Sequence, residues 1–191
     1  MDLRSTNLQE EYQQRFQGSD LYRDSVWKIL CKDFFSKYID PDCGKRVAGH
    51  STFLHQDCST TWPIDDGALD VVFTSNFFEH LPSKDSVDRT LSEAFRCLKS
   101  GGKIICLGPN IKFVPGSYWD YWDHFIPITE ESMAEALSLR GFGITEKIDR
   151  FLPYTMSGGK NPPLFTVKLY LKLRFGWRFF GKQSLVVAEK P

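Results

Sequence analysis

Two short motifs carry the side chains best suited to chemistry in this sequence: Glu79-His80, and Trp119-Asp-Tyr-Trp-Asp-His124. An imidazole, with an unperturbed pKa of about 6.5, exchanges protons near neutral pH, so His80 and His124 are the candidate proton-handling groups. A histidine hydrogen-bonded inside the domain is the structural alternative for His80. In the second motif Trp119, Tyr121 and Trp122 surround Asp120, Asp123 and His124, a mixture suited to a lid over a bound molecule. The three polar residues are spaced i, i+3, i+4, which on a helix would gather metal ligands on one face. Pro115, Gly116 and Pro127 speak against a helix there, so no metal is assigned. Asp57, Ser75 and Asn76 complete the set as polar groups placed just beyond apolar runs.

The elements that must position these residues follow from hydrophobic period and punctuation. Leu69-Asp-Val-Val-Phe-Thr74 is a short β-branched run bounded by Gly67 and by polar Ser75 and Asn76, which predicts a buried strand. Ser83 can cap a helix in which Val87, Leu91, Ala94, Phe95 and Leu98 recur on one face before Gly101. Lys103-Ile-Ile-Cys-Leu107 is the next buried strand. Strand, helix and strand form a right-handed βαβ unit of about 30 residues with its strands parallel. The class is therefore α/β, and Asp57, Ser75, Asn76 and the aromatic motif all fall at the carboxyl-end rim where such sheets bind ligands.

The pattern repeats once. Thr129 caps a helix through Leu139, with Glu130 and Glu131 in its first turn. Gly141 stops it, and a strand follows from Gly143 to Phe151. Ser184 to Glu189 is the closing strand. Near the start, Val26, Trp27, Leu30, Phe34, Phe35 and Tyr38 fall at helical spacing behind Ser19 and Asp20, and Thr52 to Gln56 is a short strand. Leu164 to Arg174 fits either period. Pro162-Pro163 just ahead favours a helix.

Composition bounds the function class. The 191 residues hold 24 basic and 24 acidic side chains, so the electrostatic argument for a nucleic-acid partner is absent. No run approaches 18 apolar residues, and the first residues lack an apolar signal core, so a soluble, cytoplasmic protein is expected. The five cysteines show no C-x-x-C pair and read as reduced thiols packed as small hydrophobes, with a reactive or metal-bound thiol as the alternative.

The stretch LDVVFTSNFFEHLPSKDSVDRTLSEAFRCLKSGGKIICLGPN, Leu69 to Asn110, resembles the fourth-to-fifth-strand half of class I S-adenosylmethionine (SAM) dependent methyltransferases, of the type 11-like kind. The likeness rests on an acidic residue opening an apolar strand, N-x-x-E-H-L at its end, and L-x-E-x-x-R-x-L-K-x-G-G before the next strand. FLHQDCS, Phe53 to Ser59, and YWDYWDHFIPIT extend it. The resemblance implies a three-layer Rossmann-like methyltransferase fold, truncated, with a mostly parallel sheet and an antiparallel C-terminal strand.

It further implies that Asp57 accepts from the adenine amino group of SAM, that Ser75 and Asn76 line its methionine part, and that His80 or His124 serves as base for an oxygen or nitrogen acceptor. The structural alternatives are an Asx turn for Asp57 and loop caps for Ser75 and Asn76. Trp119, Tyr121 and Trp122 become an acceptor-binding lid for a small molecule or glycan.

One departure from the family pattern matters most. Members carry a strand, a glycine-rich turn, a helix and a second strand before the segment matching FLHQDCS, whereas here residues 39–51 leave thirteen positions for a unit that needs roughly 30. The turn that lets backbone approach the cofactor and the carboxylate that holds its ribose are both missing, so SAM binding is expected to be weak or absent. Gly141-Phe-Gly143 stands in the wrong order to replace the turn.

The whole chain, 1–191, thus reads as a single truncated methyltransferase-like domain: a helical segment 1–38, a loop 39–51 replacing the missing unit, and 52–191 as the α/β core with a basic aromatic end. The vacated edge of the Leu69 strand is expected to pair with the Thr52 strand or to form a homodimer. Lys160, Lys168, Lys172, Arg174, Arg178, Lys182 and Lys190, interleaved with Phe175, Trp177, Phe179 and Phe180, make 160–191 a candidate for peripheral contact with an anionic membrane, or an ordinary packed face with solvated lysines.

Overall fold

The computed structural model describes residues 20–38, 55–154 and 161–191. The expected loop at 39–51 and most of the Thr52 strand, with its pairing to the Leu69 strand, lie outside these residues. The chain divides into two compact units, one of residues 1–37 and 155–174, the other of 38–154 and 175–191.

In the first unit, α1 (Asp20–Asp33) runs into a 3-10 turn at Phe35–Lys37, and α4 spans Leu164–Lys172. The helical period of α1 buries Ile29 and Leu30, and Phe34 and Phe35 are buried just beyond it. Phe34 meets Phe35 edge-on at 5.4 Å. Tyr22 donates to the carbonyl of Pro162 at 2.7 Å, just ahead of α4. Pro163 is the N-cap of α4, as the proline pair predicted, and Leu173 is its C-cap.

The second unit is built on a four-stranded sheet of order β1-β2-β4-β3, formed by β1 (Leu69–Ser75), β2 (Leu98–Pro109), β3 (Gly143–Ile148) and β4 (Gln183–Glu189). β1 and β2 are parallel, and β4 runs antiparallel to both β2 and β3. Three strands thus share one direction and the last opposes them, the mixed α/β sheet that the sequence predicts. Helices α2 (Lys84–Cys97) and α3 (Glu130–Leu139) supply the apolar faces that cover it, and a shorter α5 (Arg174–Phe180) precedes β4.

Alternation along the central strands explains the core. Ile104 and Cys106 of β2 stand opposite Ala188 and Val186 of β4, and one residue out of phase Ile105 and Leu107 stand opposite Val187 and Leu185. All eight are buried, so both faces of these strands are covered. The first set packs with Val87, Leu91 and Ala94 of α2, with Leu98 at the start of β2, and with Met133, Ala134 and Leu137 of α3.

Three local signals in the sequence act as their chemistry predicts. The Ser83 side chain caps α2 by accepting from the Ser86 amide, Thr129 and Ser132 make a reciprocal capping box on α3, and Gly141 takes φ +94 just after α3. Two signals do not. α2 ends at Cys97, four residues before Gly101, because β2 already begins at Leu98. The glycines serve the strand instead: Gly101 has φ +76, and a Cβ on Gly102 would sit 2.9 Å from the Lys99 carbonyl oxygen. β1 is also less buried than its apolar run predicts, with Phe73 42% exposed, since it stands at the end of the sheet order among the described residues.

The residues of the L-x-E-x-x-R segment hold structure. Arg96 bonds Glu93 and Asp66 and the carbonyls of Trp62 and Ile64, fastening the loop before β1 onto α2. Lys190 donates to the carbonyls of Phe95 and Leu98, both at 2.7 Å, satisfying acceptors left open at the end of α2.

Candidate functional site at the carboxyl ends of β1 and β2

Because β1 and β2 are parallel and in register from Val71 onward, with Ser75 opposite Leu107, their carboxyl ends share one rim. Asn76 turns the chain there. It adopts φ 48, a left-handed conformation that asparagine tolerates better than most residues, and its amide donates to the Leu107 carbonyl at 2.9 Å. The 3-10 turn Phe78–His80 follows, tucking Phe78 and Glu79 inward.

Glu79 is only 3% exposed. Its carbonyl accepts from the amides of Phe125 and Ile126 at 2.8 and 3.3 Å, which brings the aromatic motif onto the rim. Its side chain lies beside Gly108, where a Cβ would be 3.5 Å from Glu79 Oε2. Together with Phe78, Leu107, Gly108, Ile128 and Ser184 it lines a small cavity. Burial, reinforced by the negative charge of Asp123, lifts the Glu79 carboxyl to about 7, against the opposing pull of the Glu79 and Phe77 amides.

His80 and His124 come together. Their rings meet edge-on at 4.8 Å, and His124, 7% exposed, also contacts Tyr118 at 4.8 Å and Tyr121 at 5.1 Å. His80 Nδ1 lies 3.0 Å from the Asp123 carbonyl oxygen and 3.2 Å from its Oδ2. Both neighbours are acceptors, so the proton belongs on Nδ1 and Nε2 carries the lone pair. Nε2 stands 3.9 Å from Glu79 Oε1. Tyr118 donates to the Ile126 carbonyl, and burial raises both the Tyr118 and the Tyr154 phenol. The arrangement can hold, accept or relay a proton at a partly enclosed rim.

The other sequence-derived residues are more scattered. Asp57 closes an Asx turn, accepting from the Ser59 amide and hydroxyl at 2.8 and 2.7 Å, and these bonds lower its carboxyl below the ordinary range. That is the structural alternative raised for it. Ser75 is half-buried at the end of β1 and Asn76 is exposed. Among the lid residues, Tyr121 packs against His124 and Tyr154, Trp119 meets Tyr118 edge-on, and Trp122 is 90% exposed. Asp120 is exposed and Asp123 faces His80.

Glu79 and Asp123 stood in the two motifs without a role of their own, and Tyr118 and Tyr154 are site residues that pattern alone did not select. Glu79 had a signal, a lone carboxylate between Phe77-Phe78 and Leu81. Tyr154 had none, since it arrives from a segment thirty residues beyond the aromatic motif.

Residues 19–106 match the family described as a methyltransferase domain. Over that segment, a little under half of its length, the chain is similar to methyltransferase domains. A demethylmenaquinone methyltransferase of Symbiobacterium thermophilum is 33% identical over 78 residues, 36% of this chain and 31% of that protein. The chain therefore matches less than a third of the length of that relative.

Among solved structures, a SAM-dependent methyltransferase from Archaeoglobus fulgidus superimposes with a TM-score of 0.53 at 17% identity, covering 80% of this chain and 73% of the other. A Haloferax volcanii methyltransferase complexed with the Trm112 methyltransferase activator gives 0.51 at 19% identity, covering 78% and 67%. The [4+2]-cyclase SpnF gives 0.50 at 19% identity, covering 78% and 60%. At these identities the structural likeness shows the fold alone, and SpnF, a cyclase, shares it. Among the described residues no helix is long and apolar enough to cross a membrane.

Proposed function

We propose that the chain transfers a methyl group from SAM to an oxygen or nitrogen of a small-molecule or glycan acceptor, held at the carboxyl-end rim of β1 and β2. The observation that carries this reading is the joining of Glu79, His80, Asp123 and His124 at that rim, with His80 oriented through Nδ1 by Asp123. Methyl transfer from a sulfonium needs chiefly alignment of donor and acceptor. The chain's part is to seat the acceptor against Tyr121 and the exposed Trp119 and Trp122, and to take its proton at His80 Nε2. Of the residues assigned to SAM by resemblance, Ser75 and Asn76 border this rim. SAM would supply the methyl group.

A second reading, a non-catalytic domain that no longer binds SAM, is favoured by the thirteen-residue interval at 39–51, too short for the glycine turn and the ribose carboxylate. Two lost charge-assisted hydrogen bonds at about 1.5–3 kcal/mol each weaken SAM by a factor of about 10²–10⁴. Isothermal titration separates the readings. Micromolar SAM affinity together with methyl transfer to a panel of hydroxyl and amine acceptors supports the enzyme; no heat at millimolar SAM sinks it.

The peripheral membrane contact is proposed for α5 alone. Phe175, Phe179 and Phe180 are exposed there beside Arg174 and Arg178, with Lys182 following. Co-sedimentation with anionic but not neutral vesicles is the expected outcome.

A further inference from the structure

Among the described residues, Glu79, His80 and His124 each offer a ligand atom, and these atoms all lie within 4.8 Å of one another. Three observations give the group a meaning beyond proton handling. First, Glu79 Oε1 and His80 Nε2 are 3.9 Å apart, too far for a hydrogen bond. Two ligands about 2.1 Å from an ion and at the tetrahedral angle are separated by about 3.4 Å, so an ion fits between them once the two side chains close by about half an ångström.

Second, Asp123 engages His80 Nδ1 through both its carbonyl and its carboxylate. A carboxylate behind a histidine, fixing its tautomer and turning the other nitrogen forward, is the outer support that metal-ligating histidines use. Third, Glu79 is a buried carboxylate. Among the described residues its ion-pair contact is the 3.9 Å approach of His80, with no lysine or arginine at hand. Buried carboxylates are normally paired with a cation or coordinate one.

We propose that Glu79 Oε1, His80 Nε2 and an imidazole nitrogen of His124 form a binding site for a divalent transition-metal ion of the zinc type. Two histidines and one carboxylate make the three-ligand set of open zinc sites, in which a fourth position is left for water or a substrate oxygen. His80 is the ligand nearest to solvent, with 24% of its side chain exposed. The ion would enter past it, and the open position would serve the same acceptor rim. The proposal needs no SAM, and it meets the methyl-transfer reading at one atom: an ion on His80 Nε2 takes the lone pair that would accept the acceptor's proton, and would hold the acceptor oxygen at its open position instead.

The test is titration of the full chain, stripped with a chelator, with Co²⁺ followed by visible absorption and then by competition with Zn²⁺, in the absence of SAM and acceptor. One equivalent is expected to bind, with Glu79→Gln and His124→Ala each weakening it at least 100-fold. Asp123→Asn should weaken it roughly tenfold, because it acts only through His80. If circular dichroism shows that the His124 variant is unfolded, replacement of the more exposed His80, as His80→Ala, takes its place and should give the same loss. No stoichiometric binding, unchanged affinity in the Glu79 and His80 variants, or a thiolate-to-cobalt band placing the ion on cysteine would each overturn the site. Because the titration contains no SAM, its failure leaves methyl transfer untouched, and an inactive protein that binds the ion upholds the site.

Discussion

Two glutamates, Glu79 and Glu130, are buried to nearly the same degree, 3% and 5% exposed, and their surroundings drive them in opposite directions. Glu130 opens α3. Burial alone would raise it, but Lys112 bonds one oxygen and the fully buried Asn110 donates to the other at 2.6 Å, and the carboxyl ends up lowered. Asn110 in turn donates to the Asp149 carbonyl and accepts from the Lys112 amide, so its amide group is satisfied on both sides. Glu79 has no such cradle and is raised to about 7. A closed network spends its charge on holding the fold together, while an open one keeps its charge available. Position in the sheet does not distinguish them, since both lie beyond the carboxyl ends of strands.

The largest expected effect tests whether only the open site is chemical. With an oxygen acceptor, His80→Ala should lower turnover by about 10²–10⁴, whereas Lys112→Ala, at the closed site, should leave kcat within about twofold. Steady-state methyl transfer measures both, and equal losses would erase the distinction.

Stability should show the reverse ranking. Glu130→Ala strands the buried Asn110 amide and should cost about 2–4 kcal/mol, read from the urea midpoint at pH 7.5. Glu79→Gln should cost little or even stabilise at that pH, because it removes a carboxylate that burial disfavours.

The pH dependence follows from the two signs. A raised carboxyl stabilises the fold fully below its unfolded value, and that contribution is lost as pH rises through the folded value. For Glu79, raised from 4.5 to about 7, that contribution is about 3 kcal/mol, lost between pH 4.5 and 7 in chelated protein. Glu79→Gln should abolish that slope. Glu130, being lowered, contributes stability above the unfolded carboxylate value and loses it as pH falls through its folded one, so Glu130→Gln should flatten only the acid side. Identical profiles for the two variants would show that their environments are alike after all.

The smallest effect sets the floor for the comparison. Arg89 and Asp85 form an exposed i, i+4 pair on α2, and Arg89→Ala should shift stability by no more than about 0.5 kcal/mol by thermal melting.

Much of the fold was legible because local signals agreed with it. Ser83, Thr129 and Gly141 each did at a helix end what their chemistry predicts, and the apolar runs at Leu69 and Lys103 became parallel neighbours. What failed was local too: Gly101-Gly102 reads as a helix stop only if one does not know that Asp70 and Lys190 crowd that turn from distant parts of the chain. The site was half legible. His80 and His124 could be chosen by residue type, but their meeting at 4.8 Å depends on the Glu79 carbonyl binding the Phe125 and Ile126 amides, which no spacing rule contains. Asp57 shows the opposite limit, since the same short segment suits an adenine contact or a self-closed turn.

The sheet order has a consequence for how the protein is made. β4 sits between β2 and β3, so until residues 183–189 have been synthesised β3 has no strand beside it among the described elements, and β2 lacks one of its two neighbours. Lys103 must wait for Glu189, and Gly101 for Lys190, across loops of more than eighty residues. Such distant closure is slow. During translation Ile104, Ile105, Cys106 and Leu107 are therefore out of the ribosome well before the strand that covers them, a sticky ribbon of the kind that chaperones shield. Among the described strands β4 is the keystone, joining the β1-β2 pair to β3 when it drops into place.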